Sequence, residues 1–186
     1  MTTNPILIIP GIGNSGPEHW QTLWEQRHPE CHRVVQREWN RPVCDEWVSA
    51  LDDAIEACHV PPLLVAHSLG CLLVVHWANR IGKPIVGALL VAVPDPAGPR
   101  FPTEADGFTP LPNNRLPFPT VMVASTDDIY ASLDHARQSA TAWGSQLIVI
   151  GTVGHINAES GLDEWSEGWD LVQRLLQQSE RMNESR

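Results

Sequence analysis

A serine, a pair of adjacent aspartates and a histidine are the residues of this 186-residue chain best suited to chemistry. Ser68 stands in Leu63-Leu64-Val65-Ala66-His67-Ser68-Leu69-Gly70. There an apolar run of strand length breaks at a small-x-Ser-x-small turn, and a second apolar stretch of helical length follows. Downstream lie Asp127-Asp128 and then His155, giving the chain order Ser, Asp, His. A serine hydroxyl attacks a carbonyl poorly until a histidine takes its proton. A carboxylate on the other ring nitrogen holds the imidazole in the right tautomer and stabilises the imidazolium. Such a set would perform acyl transfer through a covalent acyl-serine.

Each residue also has a plainer use. Ser68 could cap the helix that follows it, and one aspartate of the pair could cap the helix beginning near Tyr130. His155, in Val153-Gly154-His155, could be a solvated loop residue. Asp95, in Val93-Pro94-Asp95, is a third candidate acid, whereas Asp134 falls inside a predicted helix. His67 reads as structural. The remaining histidines, His19 among them, carry no carboxylate pattern and read as surface or packing residues.

The elements that must position these groups follow from apolar periodicity and from proline and glycine. Buried strands are predicted at 6–9, 63–66, 86–93, 120–124 and 146–150, with a weaker one at 33–36. Helices are predicted at 17–27, 44–58, from Ser68 to 81 with Gly82 as its stop, at 131–143 and at 164–178. Ser15, Pro17 and Glu18 read as a capping box that starts the first helix. Eight prolines within 94–119 exclude a helix or inner strand over most of that segment. Alternation of apolar strands with helices specifies an α/β fold, a single-domain three-layer sandwich around a parallel sheet of about six strands. The whole chain, 1–186, is read as that one domain, with a short disordered polar tail after Gln178. Open parallel sheets gather functional groups at the carboxyl ends of their strands. Ser68 follows the third strand, the aspartate pair the fifth and His155 the sixth. Donors for a developing oxyanion are the backbone amide of Leu69 and that of Ile12 in Gly11-Ile12-Gly13, with Gly13 the alternative.

Composition narrows the class further. Hydrophobic residues at 42% and charged residues at 18% are globular proportions. A formal net charge of −10 argues against nucleic acid or an anionic membrane as partner. Four cysteines without metal-ligand spacing, no leader-like start and no membrane-length apolar run suit a cytoplasmic protein with reduced thiols and no metal or cofactor. The eight tryptophans read mostly as packing, with Trp20 the nearest to a site.

Longer stretches carry a resemblance. Pro10-Gly11 with Asn14-Ser15-Gly16-Pro17-Glu18-His19-Trp20, the Ala66-His67-Ser68-Leu69-Gly70 turn, Ser125-Thr126-Asp127-Asp128 and Gly154-His155-Ile156-Asn157-Ala158-Glu159-Ser160-Gly161 are similar to the small serine hydrolases related to retinoblastoma-binding protein nine and the bacterial YdeN proteins. The resemblance runs the length of the chain. It implies a compact, lid-less α/β-hydrolase fold with Ser68 as nucleophile, His155 as base and Asp128 as acid. It also implies carboxylesterase-like activity on small esters. Two positions depart from the pattern: Ala66 replaces the usual glycine of the serine turn (G-x-S-x-G), and Ile129 replaces the proline that often follows the acid.

The expectation is a serine hydrolase for a small-molecule ester, thioester or amide, with a shallow, open cleft lined by Trp20 and Tyr130. An acyltransferase using the same acyl-enzyme, or a non-catalytic member that binds a protein partner, are the alternatives. No stretch of the chain advertises a peptide-docking surface.

Overall fold

In the computed structural model, which describes residues 4–184, six strands form one parallel sheet in the order β2-β1-β3-β4-β5-β6. The strands are β1 (Ile6–Ile9), β2 (Cys31–Arg33), β3 (Leu63–His67), β4 (Gly87–Val91), β5 (Thr120–Ala124) and β6 (Gln146–Val149). Five α-helices connect or follow them: α1 (Trp20–Arg27), α2 (Cys44–Glu56), α3 (Leu69–Arg80), α4 (Leu133–Trp143) and α5 (Ser166–Glu184). None of the described helices is long and apolar enough to cross a membrane.

The pleat sorts each apolar strand onto two faces. Ile6, Ile8, Leu63, Val65, Leu89, Val91, Val121 and Val123 pack with Trp20, Trp24, Val172 and Leu175 of α1 and α5. Leu7, Ile9, Leu64, Ala66, Leu90 and Met122 pack instead with Trp47, Leu51, Leu72, Trp77 and Trp143 of α2, α3 and α4. Burial on both sides is why these strands read as continuous apolar runs rather than as alternating ones.

Three boundaries differ from expectation by more than two residues, for local reasons. The first helix starts at Trp20, not at residue 17. His19 is its N-cap, its ring Nδ1 accepting from the Gln21 amide at 3.2 Å. The Ser15 hydroxyl is engaged elsewhere, donating to buried Gln21 Oε1 at 2.6 Å. The second strand ends at Arg33, and beyond Val34, whose amide still reaches Ile8 O, the chain leaves the sheet edge. The last helix extends past Gln178 to Glu184, so the expected polar tail is helical that far, while residues 185–186 lie outside the described residues.

Between β4 and β5, residues 92–119 contain no helix or strand. The segment is tied down by Asp106, which exchanges backbone hydrogen bonds with Pro42 and Cys44, and by fully buried Phe108 beside Trp47 and His76.

Candidate active site

The chain runs from β1 to β2 on one side and returns to β3 on the other, so the strand order reverses between β1 and β3. A crevice forms where connections depart in opposite directions. The β1 exit carries Gly11 and Ile12, and the β3 exit carries Ser68.

Ser68 occupies φ 54°, ψ −126°, a conformation that L-residues rarely adopt and that the surroundings must impose. Its amide donates to Val91 O of the neighbouring strand at 2.9 Å. Close approach makes Gly70 obligatory. A Cβ there would lie 2.4 Å from Ile9 O and 2.7 Å from Pro10 O. A Cβ on Gly11 would lie 2.9 Å from that of Ser68 and 3.2 Å from the Leu69 amide nitrogen. Ala66, by contrast, is an ordinary buried strand residue paired between Ile9 and Leu90. The small size demanded near the serine falls on Gly70 and Gly11.

Ser68 Oγ lies 2.8 Å from His155 Nε2, and His155 Nδ1 lies 2.8 and 2.9 Å from the two carboxylate oxygens of Asp128. The Asp128 side chain is 5% exposed, and its Oδ1 also accepts from the Tyr130 amide. The other two candidate acids are engaged elsewhere. Asp127 Oδ1 accepts from Ser125 Oγ at 2.6 Å and from the Gly154 amide at 2.8 Å, which bolts the loop after β5 to the loop after β6. The Ser125 hydroxyl, with the Gly154 amide, holds the Asp127 carboxyl below its ordinary range. Asp95 accepts from the Ala97 amide and lies 3.6 Å from His135, on α4.

The backbone amides of Ile12 and Leu69, beside Ser68, have no acceptor among the described residues. Gly13, the alternative to Ile12, donates its amide to Trp39 O at 2.9 Å.

A cleft of about 350 Å³ opens over Ser68. Ile12, Leu69, Pro94, Phe101 and Pro102 form apolar wall, and Tyr130, His19, His67 and His155 form the rest of the rim nearest the serine. The Tyr130 ring lies 4.5 Å from that of His155. Trp20 is a correction to the sequence reading, because it does not line the cleft. It is 1% exposed, packs against Trp24 and Trp165, and its indole donates to Ile156 O. Being on the inner face of α1, it supports the His155 loop from beneath.

His67 takes the structural place that the sequence reading gave it, and His19, read as a surface or packing residue, packs on it and also lines the cleft. His67 is buried, and its Nε2 lies 2.9 Å from the backbone oxygen of His155. His19 stacks edge-on against His67, with ring centroids 4.7 Å apart. Burial, then nearby Arg33 and His155, lowers the His19 pKa from 6.5 to about 4. Burial, with His19 and His155 adding to it, likewise keeps His67 neutral. The signal available was adjacency: His19 and His67 both sit in the motif stretches. Phe101 and Pro102, from the proline-rich segment, had no such signal.

A parallel six-stranded sheet with Ser68 at the turn after β3 defines a compact α/β-hydrolase fold. Residues 6–174 match the serine hydrolase family, and the chain belongs to it. Among solved structures, a YdeN-like protein of Pectobacterium atrosepticum is 35% identical, with a TM-score of 0.84 over 96% of this chain and 91% of that one. The ydeN gene product of B. subtilis is 20% identical, with a TM-score of 0.80 over 94% and 100% of the two chains. A monoacylglycerol lipase of Paleococcus ferrophilus shares the fold at 14% identity, with a TM-score of 0.70 over 94% and 96%. No curated protein matches the chain.

Proposed function

We propose that the protein is a serine esterase that cleaves small carboxylic esters through an acyl-enzyme on Ser68. The observation that carries this reading is the continuous chain from Ser68 Oγ through His155 to Asp128, with 2.8 Å at its Ser–His link and 2.8 Å at its His–Asp link.

In this reading His155 Nε2 takes the Ser68 proton as Oγ attacks the ester carbonyl. Asp128, on Nδ1, holds the ring orientation and stabilises the imidazolium. The free amides of Ile12 and Leu69 receive the oxyanion, each donor being worth about 3 kcal/mol in such sites. The imidazolium then protonates the departing alcohol. Water, deprotonated by His155, attacks the acyl-serine and releases the acid. No metal or organic cofactor enters any step. The four free cysteines suit a reducing, cytoplasmic setting, which belongs to the same reading.

A fluorophosphonate probe tests it. Labelling is expected on the wild-type protein and absent from folded Ser68→Ala. A panel of p-nitrophenyl esters of graded acyl length should show turnover that Ser68→Ala abolishes. A folded wild-type protein that takes no label at Ser68 would overturn the esterase reading in favour of a binding role.

A further inference from the structure

Beside the serine cleft, a second depression of about 460 Å³ is walled by Asp127, Thr152, Asn157, Glu159 and Ser160. Ser68 is not part of its wall. Tyr130, His155, Asn157 and Glu159 belong to both depressions, so the two spaces adjoin along a wall that includes His155. This arrangement bears on the substrate, and it rests on the esterase reading. The acyl group must stay beside Ser68 and the Ile12 and Leu69 amides, in the cleft with the apolar wall of Phe101, Pro102 and Pro94. The leaving oxygen must face His155 Nε2, which protonates it. The remainder of the alcohol then extends past His155 into the second depression.

The groups free to meet it there are few and specific. Asp127 Oδ1 is occupied by Ser125 and the Gly154 amide, while its Oδ2 stays open and adds negative charge to the wall. Ser160 Oγ donates to Val153 O and accepts from the Asn157 amide. The Thr152 and Tyr130 hydroxyls, the Asn157 side-chain N–H group and the Glu159 carboxylate have no hydrogen-bond or ion-pair partner among the described residues. No lysine or arginine lines either depression. Hydroxyl groups could be met by Thr152 and Asn157, and an ammonium by Glu159. A phosphate or carboxylate would find no cation and would face Glu159 within a chain of net charge −10.

We propose that the second depression is the leaving-group subsite, and that it selects esters of hydroxyl-bearing neutral or cationic alcohols over anionic ones, with Glu159 as the charge-discriminating residue. The reaction is an ester hydrolysis: the acyl–oxygen bond breaks, the alcohol leaves with the proton from His155, and water supplies the replacement oxygen on the acyl group.

The test uses butyrate esters of glycerol, choline and glycolate, with kcat/KM normalised to each ester's rate with hydroxide. The glycerol and choline esters are expected to exceed the glycolate ester by about fivefold, the range of one partly screened charge pair. Glu159→Gln should lower the choline-to-glycerol ratio by about threefold, and Glu159→Lys should raise the glycolate-to-glycerol ratio by at least as much. Added salt should compress all three ratios. Preference for the glycolate ester, or ratios that do not respond to Glu159→Lys, overturns the proposal. Fluorophosphonate labelling of Ser68 runs alongside. Labelling without turnover of any of the three esters defeats the leaving-group assignment alone, whereas no labelling defeats the esterase reading beneath it.

Discussion

The ring Nε2 of His67 lies 2.9 Å from the backbone oxygen of His155. Because a carbonyl oxygen can only accept, the contact is an N–H donated by His67. The residue immediately before Ser68 thereby holds the loop that carries the partner of Ser68, and the Oγ–Nε2 separation is set from two directions.

Removing that hold should misplace His155 without removing any reacting group. His67→Leu is expected to lower kcat by about 10- to 100-fold, the cost of misplacing a catalytic group by roughly an ångström. KM should change little. His67→Gln keeps an N–H of similar reach and should recover much of the loss. Equal loss in both variants, or a loss confined to KM, would count against the positioning role.

The two adjacent aspartates should separate cleanly. Asp128→Asn leaves the shape intact but favours the wrong imidazole tautomer, and kcat should fall by about 10⁴-fold. Asp127→Ala removes the acceptor of Ser125 and Gly154, so it should lower the melting temperature and reduce kcat far less. Parallel steady-state kinetics and thermal melts on both variants decide the matter. Comparable kcat losses would mean that the acid has been misassigned.

Gly70 and Ala66 make unequal predictions from the two flanks of one motif. Gly70→Ala drives a methyl group into the Ile9 and Pro10 carbonyl oxygens and should cost on the order of 3 kcal/mol or more in urea unfolding. Ala66→Gly restores the commoner motif residue yet loses a buried methyl and adds chain freedom. It should destabilise by about 1 kcal/mol and leave activity in place. A Gly70→Ala protein as stable as wild type would mean that the β1–α3 approach relaxes.

Acidification should weaken the fold through the buried histidines. In the unfolded chain His19 takes up a proton near pH 6.5, but in the folded protein only near about 4. Between those values the unfolded state binds more protons, so stability is full above pH 6.5 and falls as pH drops toward 4. The His19 contribution is on the order of 3 kcal/mol, and His67 adds in the same direction. Urea midpoints at pH 7 and 4.5 should therefore differ. His19→Asn, which keeps a capping side chain but cannot titrate, should show a smaller difference. An unchanged difference would place the pH dependence elsewhere.

Much of this arrangement was legible before the fold was seen, because its signals were local. Val65 and Leu89 belong to runs buried on both faces, and such runs look the same in any doubly covered sheet. Ser68, Asp128 and His155 each follow a strand, and the rule about strand ends brings them to one edge. What escaped reading depended on tertiary competition. The Ser15-Pro17-Glu18 pattern has the form of a capping box, but buried Gln21, which donates to Ile9 O and Val65 O, claims the Ser15 hydroxyl. That moves the cap to His19. Trp20 then turns toward Trp24 and Trp165 instead of the cleft, a direction that no spacing in the chain could reveal.

Every hydrogen bond of the Ser68–His155–Asp128 chain comes from the ends of β3, β5 and β6, and Asp127 clamps two of those ends into one body. The segment between β4 and β5 contributes Pro94, Phe101 and Pro102 to the cleft wall but no hydrogen bond to that chain. It is anchored at Asp106 and Phe108, and at its start by the Asp95 amide, which donates to Tyr130 O. Machinery and cleft wall are thus written in separable parts of the chain. Substitutions at Phe101 and Pro102 can reshape the cleft wall while the Ser68–His155–Asp128 distances stay as they are, which leaves a hydrolase of this fold a short route to a differently shaped cleft.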